Sequence, residues 1–145
     1  MDWVDAGQND DAARPGGHKI DAMTKSRQDF GLLGERIAAR WLVRQGWSVV
    51  EHRFRAGRRD IDLIMRRAGE VAFVEVKARR GQDFGSPVEA VHHRKQLELS
   101  RAARVWVDRF GTVELAYRFD VMGILVEGDR VRVRYIPNAF PVSDK

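Results

Sequence analysis

Asp60-Ile-Asp-Leu-Ile64 and Val74-Glu-Val-Lys77 are apolar runs with charged residues at alternate positions, and the short step Ala68-Gly69 lies between them. Strand-forming residues on both sides of such a step predict a β-hairpin. A symmetric turn sets Asp62 opposite Glu75 and Asp60 opposite Lys77. Alternate residues of a strand share a face, so all four charged groups project from one side. Ile64 with Phe73 and Arg66 with Val71 continue that face, while Ile61 with Val76, Leu63 with Val74 and Met65 with Ala72 make the other wholly apolar. One face is core; the other is apolar at one end and charged at the other. Directly opposed carboxylates repel and destabilise a strand pair. A divalent cation between them is the expected compensation.

Upstream, Trp47 to Phe54 reads as a strand closed by the turn Arg55-Ala-Gly-Arg58. Before it, Phe30, Leu33, Ile37 and Trp41 recur at helical spacing, and Ala38 and Leu42 widen the stripe. Ser26-Arg-Gln-Asp29 fits a capping box at the start of this helix, and Gly46 stands just past its end. Residues 1–27 hold Gly, Asp, Asn and Pro with Trp3 and Val4 as their only sizeable apolar pair, so they are expected to form a disordered or loosely attached tail. Downstream, Ala78 to Gly85 is a loop, and Ser86-Pro-Val-Glu89 is a second capping box with Pro at the first helical position. The helical stretch runs to about Arg109, divided near His92-His93, with Leu99, Ala102, Ala103, Trp106 and Phe110 on its buried side and Gly111 closing it. Val113 to Val126 and Val131 to Ile136 form a second hairpin across Gly128-Asp129, and the chain after Pro137 is expected to be irregular. Helix, three strands, helix, two strands predicts one α/β domain over residues 28–140, a central mixed five-stranded sheet flanked by helices, with a C-terminal tail at 141–145.

The chain has 145 residues, 43% of them hydrophobic, enough for one core. Lys and Arg total 26 against 21 Asp and Glu, for a formal charge of +5 and a pI near 10.1, with the excess in residues 29–145. Such basicity makes nucleic acid a partner to consider. The absence of cysteine excludes disulfides, thiolate metal sites and cysteine nucleophiles. No apolar run reaches the roughly 20 residues that span a bilayer, and the N-terminus lacks the basic and apolar regions of a secretory leader. The cytoplasm is the expected compartment, and no membrane partner is expected.

A hard cation such as Mg²⁺ or Mn²⁺ takes oxygen ligands octahedrally, keeps several waters and often uses only one or two carboxylates. Asp62 and Glu75 supply such a pair, and the backbone carbonyl of Val76 offers a third oxygen. Lys77, one strand step further, points towards the same space, where it can orient or deprotonate an attacking water or neutralise charge on a phosphate. A bound metal lowers the pKa of its water and polarises the scissile phosphate. Arg53, Arg55, Arg58 and Arg59 precede the acids, and Arg79 and Arg80 follow them. Bases beside a carboxylate cluster can hold phosphate oxygens while the acids hold metal. Lys95 on the second helix is a further candidate phosphate contact. The competing account of the charged face is a solvated edge hairpin. His92-His93 lacks a spaced partner and reads as a helix start, Asp120 with Arg118 reads as a structural ion pair, and Trp41, Trp47 and Trp106 fit core positions.

Gly34-Glu35, Arg59-Asp-Ile-Asp-Leu-Ile64, Phe73-Val-Glu-Val-Lys77, Lys95 and Arg118-Phe-Asp-Val121 occur in that order within about residues 28–137. Together they resemble the YraN-like bacterial proteins, predicted endonucleases of the restriction-endonuclease-like fold related to archaeal Holliday-junction resolvases and other Asp…Glu-x-Lys nucleases. The resemblance implies a restriction-endonuclease-like core, Asp62 and Glu75 as metal ligands, Lys77 as the catalytic lysine and Glu35 as a first-helix acid that joins them. It implies a Mg²⁺- or Mn²⁺-dependent endonuclease acting on DNA, branched or structured DNA included, and a homodimer by likeness to junction-cutting relatives. The chain departs from the family pattern at Arg59-Asp60, where members usually carry Gly-Glu. Asp60 keeps a carboxylate of shorter reach, and Arg59 replaces a residue free to adopt unusual backbone angles. The residues alone leave two other classes open: a nucleic-acid-binding module with little or no cleavage, and a scaffold that binds protein through the 86–110 helical region.

Overall fold

The computed structural model of the chain describes residues 3–8, 22–81 and 86–141, with residues 22–26 as backbone only. In chain order its elements are β1 (Val4–Gln8), α1 (Ala22–Arg44), β2 (Ser48–Ala56), β3 (Arg59–Arg67), β4 (Glu70–Arg80), a 3-10 turn at Pro87–Ala90, α2 (His93–Phe110), β5 (Ala116–Glu127) and β6 (Arg130–Phe140). One sheet holds the strands in the order β1-β6-β5-β4-β3-β2. Only β4 and β5 run parallel; the other neighbours are antiparallel. A parallel pair requires a crossover, which the Pro87–Ala90 turn and α2 supply.

The α/β class and mixed sheet are as expected, but among the described residues the strands number six instead of five. The sixth is β1, from the segment expected to be a loose tail. Val4 pairs with Val133 and Gln8 with Arg130, and Asp5 binds the Arg130 guanidinium. Five residues interrupted by a bulge at Gly7 give no alternation long enough to register as a strand. The remainder of the expected tails, residues 1–2, 9–21 and 142–145, lies outside the described residues.

Helices cover both faces of the sheet. Beneath α1, Ala38 and Leu42 pack with Trp47, Leu63, Met65, Val74 and Met122. Beneath α2, Leu99, Ala102 and Trp106 pack with Ile64, Phe73, Phe119 and Val121. Trp47 and Trp106 are core residues, as their spacing suggests.

α1 starts at Ala22, so Ser26 lies within the helix and the Ser26–Asp29 box does not begin it. Its close approach to the sheet depends on Gly34. A Cβ there would fall 2.7 Å from Ala78 Cβ of β4, whereas one at Gly31 meets nothing within 4 Å. Two alanine substitutions on one helix therefore have opposite expected signs in chemical denaturation. Gly31→Ala should stabilise by up to about 1 kcal/mol through helix propensity, and Gly34→Ala should destabilise by about 1–3 kcal/mol through overpacking.

The division near His92-His93 is present, with α2 beginning at His93 and the Gln96 N–H donating to His92 O at 3.0 Å. Ser86 caps the 3-10 turn through its backbone alone, accepting the Glu89 N–H at 3.2 Å without a side-chain bond. Phe110 departs from the expected buried stripe: it is 55% exposed, at the end of α2, with its ring against Trp106. Pro87 lies on Gly123 of β5, the register partner of Lys77, where a Cβ would come within 2.3 Å of Pro87 Cγ. β6 continues through Pro137 to Phe140, where irregular chain was expected. Its described pairing with β1 ends at Val133, so among the described residues the outer side near Pro137 has no strand partner and needs no N–H there.

Asp120 of β5 is wholly buried. It accepts hydrogen bonds from the Tyr135 hydroxyl and the Asn138 N–H, the latter at 3.0 Å, and pairs with Arg118 Nη2 at 3.2 Å. Arg118 also reaches Glu70 at 3.1 Å and lies 4.8 Å from the Trp47 ring centre. The expected structural ion pair thus ties β4, β5, β6 and the end of α1 together.

Candidate functional site

The β3–β4 ladder has the expected register at Leu63–Val74, Ile64–Phe73, Met65–Ala72 and Arg66–Val71. It then stops, and neither Asp62–Glu75 nor Asp60–Lys77 is a ladder pair. β4 continues along β5 as far as Arg80–Val126, and β3 follows β2 through Ile61 and Asp60. The strands separate where the acids would have been directly opposed, which lessens the repulsion between them without removing it. Across the resulting fork the Val76 N–H donates to Asp62 Oδ2 at 2.8 Å, a side-chain bond in place of a ladder bond.

β3 also rotates at this point. Ile61 packs with Phe54 beneath α2 while Leu63 packs beneath α1, so the expected Ile61–Val76 pair is not formed. Asp62 is left between the layers. It is within electrostatic reach of Glu35 on α1, Lys77 on β4 and Lys95 on α2. Glu35 is 6% exposed, and the Arg53 Nε donates to its Oε1 at 3.3 Å and its Oε2 at 3.2 Å. Glu75 is also 6% exposed, with Oε1 3.4 Å from Lys77 Nζ. Its Oε2 is buried with no hydrogen-bond partner among the described residues.

Two buried acids and a partly buried third sharing so few cations resist ionisation. Burial, then the Asp62 charge, pushes Glu35 up to about 7 against the opposing Arg53. Burial and Asp62 likewise push Glu75 up to about 7 against Lys95 and Lys77. Burial raises Asp62 too, against the Val76 N–H, Glu35, Lys95 and Lys77. From pH 4.5, the ordinary glutamate value, to about 7 the folded chain therefore holds protons that the unfolded chain has released. The stability these two glutamates contribute is fully present below that window and is lost as pH rises through it. Denaturant midpoints in EDTA should fall between pH 4.5 and 7.5, and a flat profile would contradict this arrangement.

Of the other sequence candidates, Arg53 and Lys95 are brought to the acids. Asp60 faces Arg55 instead of Lys77, with Oδ1 3.8 Å from Nε and both side chains exposed. Arg58 lies at the β2–β3 turn beside Arg59, Arg79 is exposed with Nη1 donating to Ala78 O at 2.8 Å, and Arg80 lies 4.4 Å from the Phe30 ring centre of α1. His92 and His93 are exposed. Arg53 was counted only in the arginine surround; its contact with Glu35 has no sequence signature.

Among the described residues, no three His, Cys, Asp or Glu side chains converge as a ready metal cage. An ion would draw instead on Asp62 and Glu75, with the Val76 carbonyl and water completing its shell. The orphaned Glu75 Oε2 fits that demand, being a buried anionic oxygen with unused coordination capacity.

The fold and cluster define an α/β protein with an acid–lysine site where its sheet divides. Residues 34–124 match the profile described as "Uncharacterised protein family UPF0102". A UPF0102 protein of Trichlorobacter lovleyi is 40% identical over 121 residues, covering 82% of this chain and 95% of that protein. One from Alkaliphilus metalliredigens is 40% identical over 118 residues, covering 81% and 100%. One from Pelobacter propionicus is 38% identical over 137 residues, covering 90% and 98%. The chain belongs to the UPF0102 family, in agreement with the YraN-like resemblance. Glu35, Arg53, Asp62, Glu75, Lys77 and Lys95 all lie within the profile match, whereas β1 and β6 lie outside it. Among the described residues no helix is long and apolar enough to cross a membrane.

Proposed function

We propose that this protein is a Mg²⁺- or Mn²⁺-dependent endonuclease that hydrolyses phosphodiester bonds in DNA at the fork between β3 and β4. The observation that carries the reading is the buried, unpartnered Glu75 Oε2 beside Asp62, with Lys77 on the adjoining Oε1. Likeness to the Asp…Glu-x-Lys nucleases supports the reaction class, and the basic chain supports the substrate. Asp62, Glu75 and the Val76 carbonyl would hold the ion, which when bound would polarise the phosphate and acidify its water. Lys77 Nζ orients the attacking water and faces charge that develops on the phosphate. Lys95 balances charge from the α2 side, and the Val76 N–H fixes the Asp62 carboxylate against rotation. Glu35 completes the acidic set from α1. Arg55, Arg58, Arg59 and Arg79 offer outlying phosphate contacts, and a homodimer acting on branched DNA completes the proposal.

Calorimetric titration with Mn²⁺ at pH 7.5 provides the test. Wild type should bind Mn²⁺ and cut labelled linear or four-way-junction DNA, while Asp62→Asn should lose both, having exchanged an anionic ligand for a neutral amide. Equal inertness of the two proteins, with no heat of Mn²⁺ binding, would remove the enzyme reading.

A further inference from the structure

Arg53 has φ 47°, the left-handed region that a long side chain rarely enters. The other described non-glycine residues with positive φ are Ala68 in the β3–β4 turn and Asn138, an amide residue suited to that region. Arg53 lies within β2, and its location is informative. His52 pairs with Leu63 and Phe54 with Ile61, which places Arg53 across from Asp62, where β3 rotates between its two layers. Backbone outliers of this kind persist where surrounding contacts over-determine them, and they gather at functional sites.

The contact that holds this outlier is specific. Arg53 Nε reaches both carboxylate oxygens of Glu35, which itself is nearly buried. The two terminal guanidinium nitrogens have no hydrogen bond to the described residues, and the side chain is 54% exposed. One edge of the guanidinium is thus anchored on an acid of the cluster, while its outer edge is open to solvent. A planar fork of donors suits the oxygens of a phosphate better than any other side chain does.

We propose that Arg53 is a positioning residue that contacts a backbone phosphate of the nucleic acid through its terminal nitrogens while its Nε aligns Glu35 with Asp62. The strained backbone aims the guanidinium outward from β2, and Glu35 fixes its inner edge. Substrate binding and alignment of the α1 acid are one arrangement. The inference rests on the nuclease reading and adds a residue to its substrate contacts.

The test is binding of fluorescein-labelled duplex DNA in Ca²⁺ buffer from about 50 to 200 mM KCl, a range in which phosphate contacts show as a linear salt slope. Arg53→Asn suits the left-handed backbone but lacks the guanidinium, and Arg53→Gln keeps most of the length without charge. Both should fold with thermal midpoints within a few degrees of wild type, and each should lose about one unit of salt slope. Arg53→Lys should retain the slope. A merely structural arginine would shift the midpoint and leave the slope intact. Either uncharged variant with a wild-type slope would overturn the inference while leaving the nuclease reading in place, provided that wild type cuts DNA with Mn²⁺. A wild type without salt-dependent DNA binding would overturn both.

Discussion

Lys77→Ala is expected to slow cleavage by about 100- to 10,000-fold, the range associated with loss of a positioned proton-transfer or charge-stabilising group. Lys77 Nζ lies 3.4 Å from Glu75 Oε1, and its side chain is 21% exposed, so it is in contact with the cluster and open to a substrate. The substitution leaves Asp62, Glu75 and the Val76 N–H in place. Mn²⁺ affinity by calorimetry should therefore persist while turnover collapses, the reverse of Asp62→Asn, which should lose the ion. Cleavage of labelled DNA by Lys77→Ala within tenfold of wild type would show that the reaction does not pass through this lysine.

Asp120→Ala should be the most damaging substitution to stability outside the cluster. The carboxylate is wholly buried and satisfies the Tyr135 hydroxyl, the Asn138 N–H and the Arg118 guanidinium together. Its removal leaves those three donors without it in a low-dielectric interior and converts Arg118, only 16% exposed, into a poorly compensated cation. Breaking a buried pair from one side destabilises by about 3–5 kcal/mol. For a chain of this size that corresponds to a melting-point drop of roughly 10 °C or more. Glu70 and the Trp47 ring retain Arg118, which sets the expectation within that range rather than above it. Urea denaturation with an unchanged slope and a midpoint loss below about 1 kcal/mol would show that the network is redundant.

The β3–β4 register from Leu63–Val74 to Arg66–Val71, the two helices and the mixed sheet follow from periodicity and turn chemistry. Local rules sufficed wherever one face had to be apolar and the turn was short. They failed where tertiary contacts took over. β1 is too short and too interrupted to show alternation, and it becomes a strand only because β6 offers an edge. The fork could not be foreseen, because register arithmetic assumes that a ladder begun at Ala68-Gly69 continues past Val74. The flip between Ile61 and Leu63 and the left-handed Arg53 belong to the same event, and neither leaves a mark on residue type. Phe110 has helical spacing but falls on the last turn of α2, beyond the sheet that would cover it. Asp60 shows the converse: its spacing placed it with the acids, and divergence of β3 towards β2 brought it to Arg55.

The hydrogen bond from Val76 to Asp62 has a spectroscopic consequence. A backbone amide that donates to a carboxylate senses the charge on that carboxylate directly, so the Val76 proton resonance is a built-in indicator for the acid cluster. Protonation of Asp62 or capture of an ion should move this single peak, and the Leu63–Val74 ladder next to it provides an internal standard. The fork thereby announces its own chemical state without substrate, label or turnover.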